Sequence, residues 1–179
     1  MRIRGRFGQV RRRTRAEGQS LVEFSLVLAP LFLILLGIIQ FGFIFNSYIT
    51  LANATREGAR EGSVYVYLQA DAKAANDAAR NDQILTTIQN SMNLLSSTAP
   101  HFTTSGTWTQ SGDVFTNGDL TITYAVPDNV TASDPRVGET VTVRVRYHQD
   151  LLIPLISALL PKDGNGRMVL TGEVTMVLN

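Results

Sequence analysis

An uninterrupted apolar run, Leu26–Phe45, constrains this chain more than any other feature. It reads LVLAPLFLILLGIIQFGFIF, and Gln40 is its only strongly polar side chain. In a helix its twenty residues, at about 1.5 Å each, would cover the roughly 30 Å hydrocarbon core of a bilayer. Pro30 lies early in the run, where a kink leaves the rest of the span intact. The run therefore predicts a single transmembrane helix and a lipid bilayer as its surroundings.

The charge distribution predicts the orientation of that helix. Residues 1–18 hold seven arginines and one acid, Glu17, for a net charge of +6, and the remaining residues carry −5. A basic flank stays in the cytoplasm, so the chain is expected to be a single-pass protein of the inner or cytoplasmic membrane with an extracytoplasmic C-terminal part. The basic tail could instead bind nucleic acid, but Phe7 is its only aromatic residue and the apolar run follows closely. No nucleic-acid partner is expected.

A cleaved secretory signal is the alternative to a retained anchor. The triplet Ala52-Asn53-Ala54 has the A-x-A form of a signal-peptidase site. The apolar run is, however, longer than the roughly 7–15 residues of an ordinary signal. The cluster RRRTR also lacks the rest of a twin-arginine signal. A retained anchor is the favoured interpretation.

A glycine and a carboxylate stand at the edge of the apolar run, within EGQSLVEF. Cleavage after Gly18 would leave a chain that begins at Gln19, with Glu23 as its fifth residue and Phe24 as its sixth. A carboxylate in lipid needs a partner. The new terminal ammonium of a neighbouring subunit would neutralise Glu23 and set the register between subunits. The alternative is that Glu23 is an interfacial residue that extends to the lipid headgroups.

These residues resemble the start of type IV pilins, most closely the TadE-like pseudopilins of the Tad (tight adherence) branch. The resemblance includes the basic leader, the GQSLVEF opening and the stretch Ala54–Arg60, which reads ATREGAR. It implies that a prepilin peptidase cleaves between Gly18 and Gln19, and that Glu23 and Phe24 serve assembly. The implied partners are other pilin or pseudopilin subunits and the assembly machinery. The chain is longer than a major pilin, so a minor pseudopilin is expected, with incorporation into a pilus as one possible fate.

Beyond the membrane, the pattern predicts an α+β domain over residues 63–179, after a helix that continues through Asn46–Glu61. Charged residues 56, 57, 60 and 61 suggest a solvated helix face with short-range ion pairs, or a surface for a partner. Ser63–Gln69 reads either as a strand or as more helix. A second helix is predicted over about Asp71–Ser96, with a stripe of seven positions that faces the sheet or a partner helix: Ala74, Ala78, Asn81, Leu85, Ile88, Met92 and Leu95.

Alternation then predicts a small antiparallel sheet, the layout of pilin-like folds. Asn117-Gly118 is a hairpin signal between strands near Val114–Thr116 and Asp119–Val126, and residues 127–138 read as a loop. Two further strands follow. In the first, Val141, Val143, Val145 and Tyr147 share one face, opposite Thr142, Arg144, Arg146 and His148. The second is Met168–Leu178.

The segment Leu151–Leu160, LLIPLISALL, does not fit the alternation. It is too short to span a bilayer as a helix. A short helix or loop that closes the core is the favoured interpretation, and a subunit interface or membrane-surface contact is the alternative.

The search for catalytic chemistry favours a non-enzyme without a cofactor or metal. There is no cysteine, and the two histidines, His101 and His148, are too few for a convincing triad or metal centre. His148 is expected to be solvated. Asp163–Gly166 departs from a calcium loop because Arg167 occupies a ligand position, so a turn is favoured. A membrane-anchored sensor or ligand-binding domain that does not polymerise is the alternative function.

Overall fold

The computed structural model describes residues 14–68, 70–92, 102–125, 136 and 138–179, with side chains from residue 18 onward. The helices are α1 (Thr14–Ser63), α2 (Lys73–Ser91) and α3 (Pro154–Ser157), and the strands are β1 (Thr109–Ser111), β2 (Val114–Asn117), β3 (Leu120–Tyr124), β4 (Thr140–Gln149) and β5 (Met168–Val177). A long apolar helix, a second helix and a small antiparallel sheet confirm the predicted α+β class. The chain divides into two compact units between Ile39 and Gln40.

Helix α1 contains the predicted membrane segment. Among the described residues, one helix, Gly18–Ser63, is long and apolar enough to cross a membrane. Pro30 lies inside it, and the helix continues to Ser63, which confirms the predicted extension through Asn46–Glu61. This helix fits a single-pass membrane anchor.

The sheet is a simple meander in which strand order follows chain order, β1-β2-β3-β4-β5. Strands β4 and β5 form its longest pair, from Thr140 opposite Val177 to Gln149 opposite Met168. The predicted core face of β4 is confirmed, because Val141, Val143, Val145 and Tyr147 are all buried. The sequence did not predict the short edge strand β1. All three of its residues are exposed, so apolar and polar residues do not alternate along it.

The β2–β3 turn lies one residue beyond the Asn117-Gly118 signal. Asn117 pairs with Leu120, so the loop is Gly118-Asp119. Positive φ occurs at Gly118, at 60°, which is the pattern of a type II′ turn. The shift has a tertiary cause: Asn117 Oδ1 accepts a hydrogen bond from the Ser105 amide at 2.8 Å, and the Asp119 carboxylate accepts one from the Thr103 amide at 2.9 Å.

Helix α2 packs closely on the C-terminal part of α1. A Cβ atom on Gly58 would lie 2.6 Å from Cγ1 of Ile88, and one on Gly62 would lie 2.6 Å from Cδ1 of Ile84. Both glycines are inside α1 and buried, so they act as a contact surface for α2 rather than as helix breakers. Their missing side chains leave the space that the two isoleucines fill.

The predicted stripe of α2 is correct in its second half and wrong in its first. Asn81, Ile88 and Met92 are buried, whereas Ala74 and Ala78 are exposed. Four other buried residues complete the inward face of α2: Asn76, Asp77, Arg80 and Ile84. The three polar residues of this set need hydrogen-bond or ion-pair partners where they are buried. Residues 93–96 of the predicted helix lie outside the described residues.

The segment after α1 forms neither the strand nor the continued helix that the sequence allowed. Tyr65–Leu68 has no regular helix or strand, and Gln69 is not described. Its backbone is held by Asn76, whose Oδ1 accepts from the Leu68 amide at 2.9 Å and whose Nδ2 donates to the Leu68 carbonyl at 3.0 Å. This arrangement directs Tyr65 and Tyr67 toward Arg80, which lies 5.4 and 4.6 Å from their ring centroids.

Candidate processing and assembly segment

The predicted cleavage position lies inside α1, with free space at its α-carbon among the described residues. Gly18 is exposed, and a Cβ atom placed on it would meet nothing within 4 Å. Residues 14–17 continue the helix on its N-terminal side. A peptidase needs an extended backbone at the bond it cuts, so the helix must unwind locally. Glycine makes this easier, because it destabilises a helix by roughly 0.5–1 kcal/mol relative to alanine.

Gln19 and Glu23 are brought together one helical turn apart. Nε2 of Gln19 donates a hydrogen bond to Oε1 of Glu23 at 3.0 Å, and both side chains are exposed. Phe24 follows, rotated by about 100° around the helix axis, and it is also exposed. The four predicted site residues thus form an accessible surface at the start of the apolar helix.

The ATREGAR stretch, Ala54–Arg60, has two faces. Ala54, Thr55 and Ala59 are buried, and Thr55 packs against β5, where a Cβ on Gly172 would lie 2.5 Å from the Thr55 Oγ1. Small residues on this face allow α1 to approach the sheet and α2 closely. The stretch therefore contains the packing surface between α1 and the sheet domain.

The outward face of the same stretch is a solvated ion-pair surface, as predicted. Arg60 NH2 lies 3.0 Å from Glu57 Oε1, with both side chains largely exposed. Gln83 of α2 donates a hydrogen bond to Glu61. An exposed pair of this kind contributes about 0–1 kcal/mol, so its effect on stability is small.

The apolar helix fits a single-pass membrane anchor, and the helices with the small sheet define an α+β protein. The family model of the TadE-like proteins matches residues 18–60, from the predicted cleavage glycine to the end of the ATREGAR stretch. The resemblance found in the sequence is thereby confirmed over this segment, and the match associates the chain with Tad pilus systems. No curated protein and no solved structure matches the chain.

A buried charged cluster lies where α2 meets the sheet, and sequence reasoning missed it. Asp77 of α2 lies 2.9 Å from Lys73 Nζ and 3.5 Å from Arg136 NH1, and it accepts a hydrogen bond from Tyr67. Arg136 NH2 lies 2.6 Å from Asp113. Asp77 and Arg136 are almost fully buried. Asp77 and Arg136 thus each have an opposite charge within ion-pair distance, as buried ions require.

Aromatic rings surround the cations of this cluster. The Arg80 guanidinium lies 5.4 Å from the ring centroid of Tyr124, and that of Arg136 lies 4.7 Å from the same ring. Burial raises the pKa of Tyr124, and the nearby Arg80 charge opposes the rise. Burial raises the pKa of Tyr67 as well, and its hydrogen bond to Asp77 raises it further. Both phenols therefore remain neutral near pH 7 and act as hydrogen-bond donors.

The sequence carried one signal of this cluster. Asp77, Arg80, Asn81 and Ile84 recur at helical spacing, with three polar residues on a face that also holds an isoleucine. Such a face indicates either solvent or a buried polar network. Only the positions of the tyrosines and of Arg136 decide between the two.

His148 is not solvated as predicted, because two acids hold its ring. Nδ1 lies 2.7 Å from Asp163 Oδ2 and Nε2 lies 3.2 Å from Asp119 Oδ1, and the side chain is only 24% exposed. Partial burial by itself lowers the pKa of His148, but the two carboxylates outweigh it and raise the pKa above the usual value. The ring links the β2–β3 turn to the loop before β5.

The predicted turn at Asp163 is confirmed. Asp163 Oδ1 accepts hydrogen bonds from the amides of Asn165 and Arg167, both at 2.9 Å. The amide of Arg167 and then His148 lower the pKa of this carboxyl. Within the described residues no group of histidines and acids could hold a metal ion. His101 and most of the loop predicted at 127–138 lie outside those residues.

Proposed function

We propose that the protein is a minor pseudopilin, a non-enzymatic structural component of a Tad-like pilus assembly or secretion machine. The family match that begins at Gly18 carries the proposal. In this proposal the basic N-terminus is cytoplasmic, the sheet domain is extracytoplasmic, and the partners are other pilin-like subunits with their assembly machinery. The wider association with Tad pilus systems rests on the match itself.

The first step of the proposed function is removal of residues 1–18 by a prepilin peptidase. Three properties of Gly18 support it. The residue is exposed, a Cβ on it would meet no described atom within 4 Å, and glycine lowers the free energy needed to unwind the helix. The basic leader keeps the bond at the cytoplasmic edge of the membrane.

The second step is assembly through Glu23. Its carboxylate is exposed at the start of the apolar helix, and Gln19 bonds to it through a neutral amide, so its charge is available to a cation. After cleavage, Gln19 would carry a terminal ammonium. Within one helix that ammonium and Glu23 have poor geometry for pairing, whereas a neighbouring subunit can present its ammonium directly. Phe24 would pack in the same apolar interface.

Processing is tested with a pair of glycine substitutions in α1. Gly18→Leu should leave nearly all of the protein as precursor, because a bulky side chain at the cut bond blocks the peptidase cleft. Gly42→Leu is the matched control: it lies in the same helix, and a Cβ there also meets nothing within 4 Å. Its product should have the mature size. N-terminal sequencing of the wild-type protein should begin at Gln19.

Two outcomes would contradict the proposal. A Gly18→Leu protein of mature size would place the cleavage site elsewhere. Retention of residues 1–18 in the wild-type protein would favour the anchored sensor.

The described domain offers the anchored-sensor alternative a pocket of about 130 Å³ between α2 and the β1–β2 hairpin, lined by Asn81, Trp108 and Phe115 among others. Sites for small molecules are typically about 300–1,000 Å³, so this pocket is smaller than a typical ligand site and gives the alternative little support.

Orientation is tested separately from processing. A reporter enzyme that is active only outside the cytoplasm should be active when fused after Asn179. A cytoplasmic C-terminus would contradict the proposal, because the sheet domain could not then take part in a surface assembly.

A further inference from the structure

The segment Leu151–Leu160 turns three leucines away from the core. Leu152, Leu155 and Leu159 are 64%, 60% and 80% exposed, and they lie at i, i+3 and i+7 around the short helix α3. On the other side, Ile156 is buried, and Leu151 and Leu160 pack against the core. The prediction that this segment closes the core thus accounts for its inner side. It does not account for the three exposed leucines on its outer side.

Gln40 places this segment at the level of the membrane span. Its Oε1 accepts hydrogen bonds from the amides of Leu152 at 2.9 Å and Ile153 at 3.2 Å. Gln40 lies five residues before the end of the apolar run at Phe45. At about 1.5 Å per residue, the two amides lie about 7–8 Å inside that end. They therefore lie within the depth range of the hydrocarbon region.

The hydrogen bonds themselves fit a site without water. In lipid, every backbone amide must find a partner within the protein, and Gln40 supplies one for two consecutive amides. The next residue, Pro154, has no amide hydrogen to satisfy. Gln40 is fully buried, so the only strongly polar side chain of the span is hidden from lipid by this segment.

Apolar side chains of α1 are also exposed within five residues of Gln40. Phe41, Phe43 and Phe45 are exposed at the same level of the helix. No charged residue occurs from Leu151 to Pro161, and Lys162 follows as an exposed cation. Exposed leucines with a basic residue beside them are features that this segment shares with segments that lie in the membrane interface, although acidic residues, Asp150 and Asp163, also flank it.

We propose that Leu151–Leu160 is a second membrane contact, which inserts Leu152, Leu155 and Leu159 among the acyl chains of the leaflet next to the sheet domain. Gln40 holds the segment at this depth. The domain is then fixed to the bilayer at two places, the span and the leucines. This limits its rotation about the α1 axis and presents the sheet in one orientation to a neighbouring subunit. The inference rests on α1 being a membrane span, which is part of the proposed function.

Fluorescence quenching in lipid nanodiscs tests this contact. The sequence has no cysteine, so single variants can be labelled uniquely with an environment-sensitive fluorophore. Leu155→Cys is the test position. Ile34→Cys, in the middle of the span, is the control for membrane insertion, and Val66→Cys, an apolar residue that is 76% exposed, is the control for a water-exposed site. The quenchers are nitroxide lipids labelled near the headgroup or near the chain end, and aqueous iodide.

The expected result separates the three positions. The Leu155 label should be quenched several-fold more by the shallow nitroxide than the Val66 label, and several-fold less by iodide. The Ile34 label should respond most to the deep nitroxide. Gln40→Leu should weaken shallow quenching of the Leu155 label and leave the Ile34 label unchanged.

Each other outcome overturns a defined part of the inference. Iodide quenching of Leu155 without nitroxide quenching would show a water-facing segment, and quenching by neither would show that protein covers the leucines. If the nitroxide lipids fail to quench the Ile34 label, α1 does not span the membrane. That result would contradict the proposed function as well as this inference. An unchanged Leu155 response in Gln40→Leu would show that Gln40 does not hold the segment at its depth.

Discussion

Two carboxylates on two helices, Glu23 and Asp77, have opposite surroundings. Glu23 is exposed at the start of an apolar helix, and its hydrogen-bond partner is the neutral Gln19. Asp77 is buried, with two cations and a phenol around it. A carboxylate away from water needs a positive partner. The chain provides the partners of Asp77 by folding, whereas a cation for Glu23 is proposed to come from another subunit.

Two glycines show the same contrast. A Cβ on Gly18 would meet no described atom within 4 Å, whereas a Cβ on Gly118 would lie 2.0 Å from the Thr103 carbonyl oxygen. A substitution in the sheet domain should therefore act on folding, and one at the start of α1 should act on processing or assembly. This expectation can be tested by urea unfolding of the full-length protein in detergent micelles, followed by the fluorescence of Trp108, the single tryptophan.

The largest expected effect is that of Gly118→Ala. The position has a φ of 60°, which disfavours a side chain by about 1–2 kcal/mol, and the clash with backbone at Thr103 adds a cost like that of overpacking, about 1–3 kcal/mol. We expect the free energy of unfolding to fall by roughly 4 kcal/mol. Gly166→Ala is the control, with a φ of 79° and no atom within 4 Å. Its cost should be about 1–2 kcal/mol, and equal costs would refute the close approach at Thr103.

Asp77→Asn should have the next largest effect. The change leaves Lys73 and Arg136 without the carboxylate that lies within ion-pair distance of both. Breaking a buried ion pair typically costs about 3–5 kcal/mol. Asparagine still accepts the hydrogen bond from Tyr67, so we expect a loss near the lower limit, about 3 kcal/mol. Asp71→Asn, at an exposed position just before α2, should change the free energy of unfolding by less than about 0.5 kcal/mol. Similar losses for both variants would contradict the cluster.

A smaller effect should appear as a pH dependence at His148. Because its pKa is raised in the folded protein, the imidazolium stabilises the fold fully below the ordinary histidine pKa of about 6.5. This contribution is lost as the pH rises through the raised pKa. Asp119 and Asp163 face the ring, and Arg146 lies 4.0 Å from Asp119. The side chain is partly exposed, so the loss should be at most about 1 kcal/mol.

His148→Gln should remove that alkaline loss and flatten the stability profile above the ordinary histidine pKa of about 6.5. The lowered pKa of Asp163 acts in a different window, since its contribution is lost as the pH falls through the lowered pKa. An unchanged alkaline slope in His148→Gln would assign the pH dependence to another group.

Glu23→Ala should have the smallest effect on folding and a large one on assembly. The free energy of unfolding should change by less than about 0.5 kcal/mol, while co-purification with other pilus subunits falls and the monomer accumulates. Glu23→Gln keeps the side-chain length and tests whether the charge is required. Glu57→Ala, which removes an exposed carboxylate of the same helix, should assemble normally. Normal pilus formation by Glu23→Ala, at normal protein level, would leave Glu23 as an interfacial residue that extends to the headgroups.

Much of the fold could be predicted because the signals are local. An apolar run as long as a bilayer is thick predicts a span without any tertiary information, and alternation in Val141–Tyr147 predicts a strand with one buried face. The candidate processing site is equally local, since Gly18, Glu23 and Phe24 are defined by their spacing from one another and from the apolar run. None of these residues needs a distant contact to be recognised.

Sequence by itself thus predicted the apolar helix, the second helix and strands β2 to β5 in their order, and it defined the candidate processing segment. Tertiary structure alone decided which face of α2 is buried, where the β2–β3 turn falls and what holds His148. In each of these, the deciding partner is distant along the chain: Tyr124 and Arg136 for α2, Thr103 for the turn, Asp119 for His148. Gln40 is the clearest case, because a glutamine in an apolar run indicates only that a partner is needed. The partner, the backbone at Leu152, is more than a hundred residues away.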